Sequence, residues 1–433
     1  MKKRPFASVA FLTVIGRSAG AVIPFCVAWA YGAGIETDAF FLAFGIIFFL
    51  FRIFSYIFES VIIPYFAEQK KTPHEMVQFA NGVLFALIPI ITLICIVIAV
   101  NLKFSIMHFN GWSAENSALV LRLFVELIPF LLFSVWISQA SGLFYAYKTF
   151  WFPAVSPVLR SVVILAAIFF LRSRLGIHAL SLGFLAGEGL RWIWTLVLLR
   201  GVMHWNSSVD WKQQGKRILD FFQQIFFHVL ALSAVSAIYF IDLWFASRLA
   251  PGSVSILNYA DRLLQIAYIF FQSGFLTIYH SFWSDRYYQE SPAAFWQHAK
   301  KDIRLVVTVS CFISAVLFIF RSFFVHIVFG LGKFKPEELD ILVKLFGWFA
   351  IGFTPVILYL LYSRVIFVMK KASFYCVLAY SLLALKIIFN IVFIQWWKLE
   401  GIAVSLVVSY GIIALWLWIY LMLHWRDKVP EKL

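Results

Sequence analysis

The stretch GAGIETDAFFLAF, Gly32 to Phe44, separates two long apolar runs and sets Glu36 and Asp38 at their junction. Gly32 and Gly34 favour a turn, Thr37 and Asp38 are residue types that start helices by accepting backbone N–H bonds, and a Phe-rich run resumes at once. The pattern predicts a short polar turn between two membrane-crossing helices, with Thr37 or Asp38 as the cap and the acids near the positive helix end. A bilayer core about 30 Å thick needs roughly 20 apolar helical residues per crossing. Working outward on that measure gives about twelve segments. They lie near residues 7–31, 38–66, 78–102, 119–146, 153–171, 178–200, 219–248, 254–283, 304–330, 341–368, 373–396 and 400–424.

The composition supports this reading along the whole chain. Of 433 residues, 63% are hydrophobic and 13% charged, which predicts an all-α polytopic membrane protein. The first run follows Lys2, Lys3 and Arg4 as a signal peptide would, but it is too long and is expected to be retained as a first span. A net charge of +15 could suggest nucleic acid, yet the basic residues concentrate at helix ends. Lys70, Lys71, Lys212, Lys216, Arg217, Lys300, Lys301 and Arg304 fall on one side, and the other side is sparser. By the positive-inside rule both termini are expected in the cytoplasm, with the charge meeting membrane lipids rather than nucleic acid. Cys26, Cys95, Cys311 and Cys376 all fall inside predicted spans without metal-ligand spacing, so they read as packing residues.

Two halves are expected. Residues 1–202 form an N-terminal six-helix bundle, 203–218 (MHWNSSVDWKQQGKRI) a cytoplasmic interfacial linker, and 219–433 a C-terminal six-helix bundle. The halves rhyme weakly. Each opens with a helix pair joined by a Gly-containing turn, GAGIETD or APGSVS, and IPFLLF at Pro129 is echoed by TPVILY at Pro355. Internal repeats of this kind mark transporters whose bundles rock around a site near the midplane.

The informative residues are the ionisable ones inside the spans. Each costs roughly 2.5–3.5 kcal/mol on insertion scales unless it meets a polar cavity or a partner. Arg122 with Glu126 and Glu188 with Arg191 have the spacing of local ion pairs. Arg17 and Arg52 start at nearly equal depth, about 21 Å below the outer ends of their helices, and Asp261 with Arg262 about 12 Å below theirs. Neither Arg17, Arg52 nor Arg262 has an acid one turn away on its own face, which suggests a cavity lined by guanidinium groups. A planar guanidinium grips phosphate or diphosphate through paired hydrogen bonds, whereas a cationic-drug exporter needs carboxylates. Asp242 and Lys386 lie about 12 and 15 Å from the same interface and are expected to form an internal ion pair. Asn390, one turn beyond Lys386, would complete the cluster, and the ammonium would then take the place that Na⁺ or H⁺ fills in a coupled transporter. His228 and His280 are isolated. No nucleophile–base pair, metal-ligand set or phosphate-cradling Gly loop appears in the sequence, so neither enzymatic chemistry nor a cofactor is expected.

Several strings then point to a family. GAGIETDAFFLAF, followed by Arg52, resembles the first hairpin of the MviN/MurJ family of lipid II flippases. The resemblance continues through IPFLLF, PAVSP (Pro153 to Pro157), SVSILNYADRL (Ser253 to Leu263), GKF at Gly332, Asn390 and GIAVSL. It implies the multidrug/oligosaccharidyl-lipid/polysaccharide exporter fold, two bundles around a central cationic cavity, alternating access and a polyprenyl-diphosphate-linked glycan as cargo. It also carries over Arg17, Arg52 and Arg262 as diphosphate-binding residues, with Asp38 and Asp261 in gating or structural roles. Two further family arginines correspond to Ile23 and Phe51, and the family typically has two more C-terminal helices, which leaves the glycan open. The implied partners are the lipid-linked glycan, membrane lipids and envelope-synthesis proteins. A small-molecule antiporter and a transport-dead assembly scaffold stand as alternatives at this point.

Overall fold

The structure is a computed structural model. It describes residues 20, 22–58, 73–105, 112–147, 149–203, 207–271, 276, 279, 282–283, 286–287, 289–369 and 371–426. Arg17 and His280, and the side chain of His228, lie outside the described residues.

Every regular element among the described residues is helical. In chain order these are α1 (Val22–Tyr31), α2 (Ile35–Tyr56), α3 (Pro73–Ser105), α4 (Ala114–Ala146), α5 (Trp151–Leu175), α6 (His178–Met203), α7 (Trp211–Ala246), α8 (Ser253–Phe271), α9 (Pro292–Ile319), α10 (Arg321–Phe329), α11 (Pro336–Val368) and α12 (Ala372–Arg426). Nine stretches among the described residues are long and apolar enough to cross a membrane. One of them runs through a break at Lys398 (φ 47°, ψ −122°), which divides α12 into two spans. With α1 and the 19-residue α8, a described helix overlaps each segment expected from hydropathy. Part of the expected linker, from Trp211 onward, is the first turn and more of the 36-residue α7.

The bilayer explains the surface. Along α3 the exposed residues Ile90, Leu93, Val97 and Val100 recur at helical spacing and form an apolar stripe. In water such a stripe would be a liability, but against lipid tails it is solvation.

The chain forms two compact units, one of residues 1–229 with 250–252 and the other of residues 230–249 with 253–433. In the first, α4 packs on α2 and α6, and α6 on α5. Phe40, Phe44, Phe130 and Phe184 interlock there, with Phe44 and Phe184 ring centroids 4.8 Å apart. Close approach of α5 and α6 rests on two glycines four residues apart. A Cβ on Gly183 would come within 2.8 Å of the Ala167 side chain, and one on Gly187 within 2.9 Å of the Arg160 carbonyl, the small-residue packing of membrane helices. In the second unit α11 packs on α8, α9 and α12.

The opening turn corrects one expectation. Gly32 has φ 70° and closes α1, its N–H donating to the Ala28 carbonyl at 2.9 Å. The N-cap of α2 is Gly34, whose N–H donates to Thr37 Oγ1 at 2.9 Å. Asp38 is therefore not the cap. It lies a turn inside the helix, 2% exposed, and its carboxylate accepts the Gly252 N–H at 2.7 Å. Thr37, one residue nearer the end, already satisfies the terminal donor, which frees Asp38 for this more distant bond within the first unit.

Candidate functional site

The interior charges gather into clusters, and each cluster belongs to one unit. In the first unit Glu188 on α6 is fully buried. Arg191, one turn on, donates to its Oε1 at 3.0 Å, and Arg160 on α5 donates to its Oε2 at 3.4 Å. Ser134 on α4 donates to Oε1 at 3.0 Å, and Arg191 Nε is fixed by Ser156 Oγ at 2.9 Å. The Glu188–Arg191 pair has the spacing read in the sequence. Arg160 joins because Gly187 lets its backbone approach.

Glu126 behaves differently from the expectation. It is engaged by His178 Nδ1 at 2.8 Å and by the Ser181 hydroxyl, both on α6, rather than by Arg122 on its own helix. The i,i+4 spacing permits a local pair, but two donors from a packed neighbour hold the carboxylate with less side-chain ordering than a long Arg needs.

The second unit holds Asp242 on α7 and Lys386 on α12 in contact, with Nζ 3.1 Å from Oδ1. Asn390 Nδ2 donates to the same carboxylate oxygen at 2.8 Å. Two further acceptors come from the other side of the break in α12. The ammonium donates to the Ile402 carbonyl at 2.8 Å and to Ser405 Oγ at 2.6 Å, and Ser405 is also hydrogen-bonded to Asn390 Oδ1. Ile402 and Ser405 were missed in the sequence, although both lie in the GIAVSL string. The available signal was the shortness of the connection at Lys398, which forces the two spans side by side.

Arg262 on α8 is half-buried. Its Nη2 lies 3.4 Å from the Tyr239 hydroxyl, and its guanidinium carbon stands 5.6 Å from the centre of that ring. Asn258, a turn earlier, donates to the same hydroxyl. Tyr239, absent from the sequence reading, therefore orients the arginine. Asp261, next in the chain, accepts from Gln265 Nε2 at 3.5 Å. Arg52 on α2 has an exposed side chain. Arg52 belongs to the first unit and Arg262 to the second.

Comparison with known proteins gives a consistent set of likenesses. The sequence profile described as lipid II flippase MurJ matches residues 27–430. A relative from Burkholderia cenocepacia named lipid II flippase MurJ is 25% identical over 372 residues, covering 82% of this chain and 71% of the relative. A second relative, from Thermotoga maritima, is 26% identical over 408 residues, covering 92% and 81%. Among solved structures, lipid II flippase MurJ in an inward closed conformation aligns with a TM-score of 0.81 at 20% identity, over 96% of this chain and 87% of that one. An inward-facing multidrug resistance transporter of the MATE family in the MOP superfamily aligns at 0.78 with 12% identity, over 94% of each chain.

Proposed function

Because the chain belongs to the lipid II flippase MurJ family, we propose that it moves a polyprenyl-diphosphate-linked glycan, lipid II or a related envelope precursor, across the bacterial cytoplasmic membrane by alternating access. The match to the family profile over residues 27–430 carries the reading. The small-molecule antiporter reading rests on likeness of fold alone, at 12% identity.

Such a step makes and breaks no covalent bond. The protein has to offset the charge of the diphosphate while the polyprenyl chain stays in lipid, and guanidinium groups do this through paired N–H donors. Arg52 and Arg262 supply two of these groups, and Arg17 a third. Arg262 is oriented by Tyr239, whose hydroxyl is itself fixed by Asn258, so little side-chain entropy is lost when it meets the substrate. The direct test is a bacterium depleted of its own lipid II flippase. Expression of this chain restores growth and clears the accumulated precursor. Continued accumulation with the protein stably inserted refutes the proposal.

A charge-assisted hydrogen bond is worth about 1.5–3 kcal/mol, so Arg52→Ala and Arg262→Ala each lower transport by roughly 10–100-fold with membrane insertion unchanged. A fully active double variant would end the assignment of these residues.

We also place both termini in the cytoplasm, on the distribution of Lys and Arg. A cysteine placed at Ser207 then stays unlabelled by an impermeant thiol reagent in intact cells. Its modification from outside reverses the orientation.

A further inference from the structure

The surroundings of Lys386 are those of a bound cation. The side chain is 0% exposed, and three oxygens of different kinds converge on Nζ. They are the Asp242 carboxylate at 3.1 Å, the Ile402 carbonyl at 2.8 Å and the Ser405 hydroxyl at 2.6 Å. The Asn390 side-chain oxygen adjoins this set through its bond to Ser405. Carboxylate, carbonyl, hydroxyl and amide oxygens are the donors that hard cations take. An ammonium has three N–H donors and no acceptor, so three acceptors saturate it. The cage is also built from three chain segments, α7 and the two halves of α12. That is far more construction than burying one lysine stem requires.

We propose that the Lys386 ammonium is a built-in occupant of a monovalent-cation site, so that no Na⁺ enters at this position in the natural protein and removal of the lysine side chain opens the cage to a small free cation. The consequence for transport rests on the flippase reading: the cycle draws no Na⁺ coupling from this cage. The site itself does not depend on that reading.

The experiment therefore measures stability rather than transport. The full-length protein, purified in detergent, is melted in NaCl, LiCl and N-methyl-D-glucamine chloride at equal ionic strength. The natural protein melts at the same temperature in all three. Lys386→Ala melts lower in N-methyl-D-glucamine chloride and recovers in a saturable way with Na⁺, with Li⁺ or with added n-butylammonium, as ligand binding to the folded state requires. Saturable stabilisation of the natural protein by Na⁺ that is lost in Asp242→Asn overturns the proposal, and so does a Lys386→Ala variant indifferent to every cation. If Lys386→Ala does not fold in N-methyl-D-glucamine chloride, it is extracted in NaCl, LiCl or n-butylammonium chloride instead; a folded size-exclusion profile in any of these three supports the proposal, and failure in all of them overturns it. A negative result in the precursor-accumulation assay leaves these melting curves untouched, so the two readings fail separately.

Discussion

Glu188 in the first unit and Asp242 in the second are both carboxylates held in the interior, yet their partners sit in opposite places. Around Glu188 the carboxylate is innermost, at 0% exposure, and the two arginine side chains lie outside it, 22% exposed for Arg160 and 11% for Arg191. Around Asp242 the cation is innermost, with the Lys386 side chain at 0% and the carboxylate at 11%. The difference follows from the shapes of the two cations. A guanidinium spreads its charge over five donors in a plane, so one edge grips a buried carboxylate while another stays partly exposed. An ammonium is compact and strongly hydrated, so burial demands that every N–H find an acceptor. The first cluster therefore carries surplus positive charge at its edge. The second is closed and internally balanced.

The most damaging way to break this comparison is Glu188→Gln, which leaves two arginines without their shared anion. Removing one partner from a buried ion pair costs about 3–5 kcal/mol. The variant should lose most of its folded fraction, read by size-exclusion profile and melting temperature. A Glu188→Gln protein as stable as the natural one would show that the arginines are satisfied elsewhere. An intermediate effect is expected of Lys386→Arg, because a saturated three-oxygen cage has no room for a planar group and overpacking costs roughly 1–3 kcal/mol. The reverse exchange, Arg160→Lys, should be the mildest. Its 3.4 Å contact lies at the more exposed rim, where ion pairs contribute about 1 kcal/mol or less. Equal effects of these two exchanges on the melting temperature would erase the distinction between an open and a closed cluster.

The fold was largely legible because a bilayer imposes one length and one polarity on every span, and both can be counted from residues alone. Charged residues were legible where depth or helical spacing constrained them. Glu188 and Arg191 share a face, and their pairing follows from being one turn apart. The positions of Asp38 and Glu126 were not legible for a different reason. Each could have been satisfied locally, Asp38 as a cap and Glu126 by Arg122, but the tertiary partners Gly252 and His178 hold them instead. Sequence spacing states what a side chain can reach on its own helix, and says nothing of what a neighbouring helix offers. Tyr239 and Ser405 escaped notice, and Arg160, recognisable as an interior charge, had no partner that could be named, for the same reason. Their roles exist only after the helices have packed, through Gly187 for Arg160 and through the break at Lys398 for Ser405.

That break has a consequence for how the protein is made. Lys398, at φ 47° and ψ −122°, is a non-glycine residue in a region that L side chains rarely adopt. The turn is so tight that a Cβ on Gly401 would run into the Phe393 carbonyl. With one residue between them, the two spans of α12 have no slack with which to enter the bilayer one after the other, so they should leave the translocon together as a hairpin. Lys386 would then meet its acceptors on the second span before its ammonium faces lipid alone, where it would cost roughly 2.5–3.5 kcal/mol. Glycosylation mapping of truncated chains can follow this directly: a chain ending at Trp397 should insert its last span less completely than one ending at Arg426, and equal insertion would mean that the lysine enters the membrane without help from the segment that later holds it.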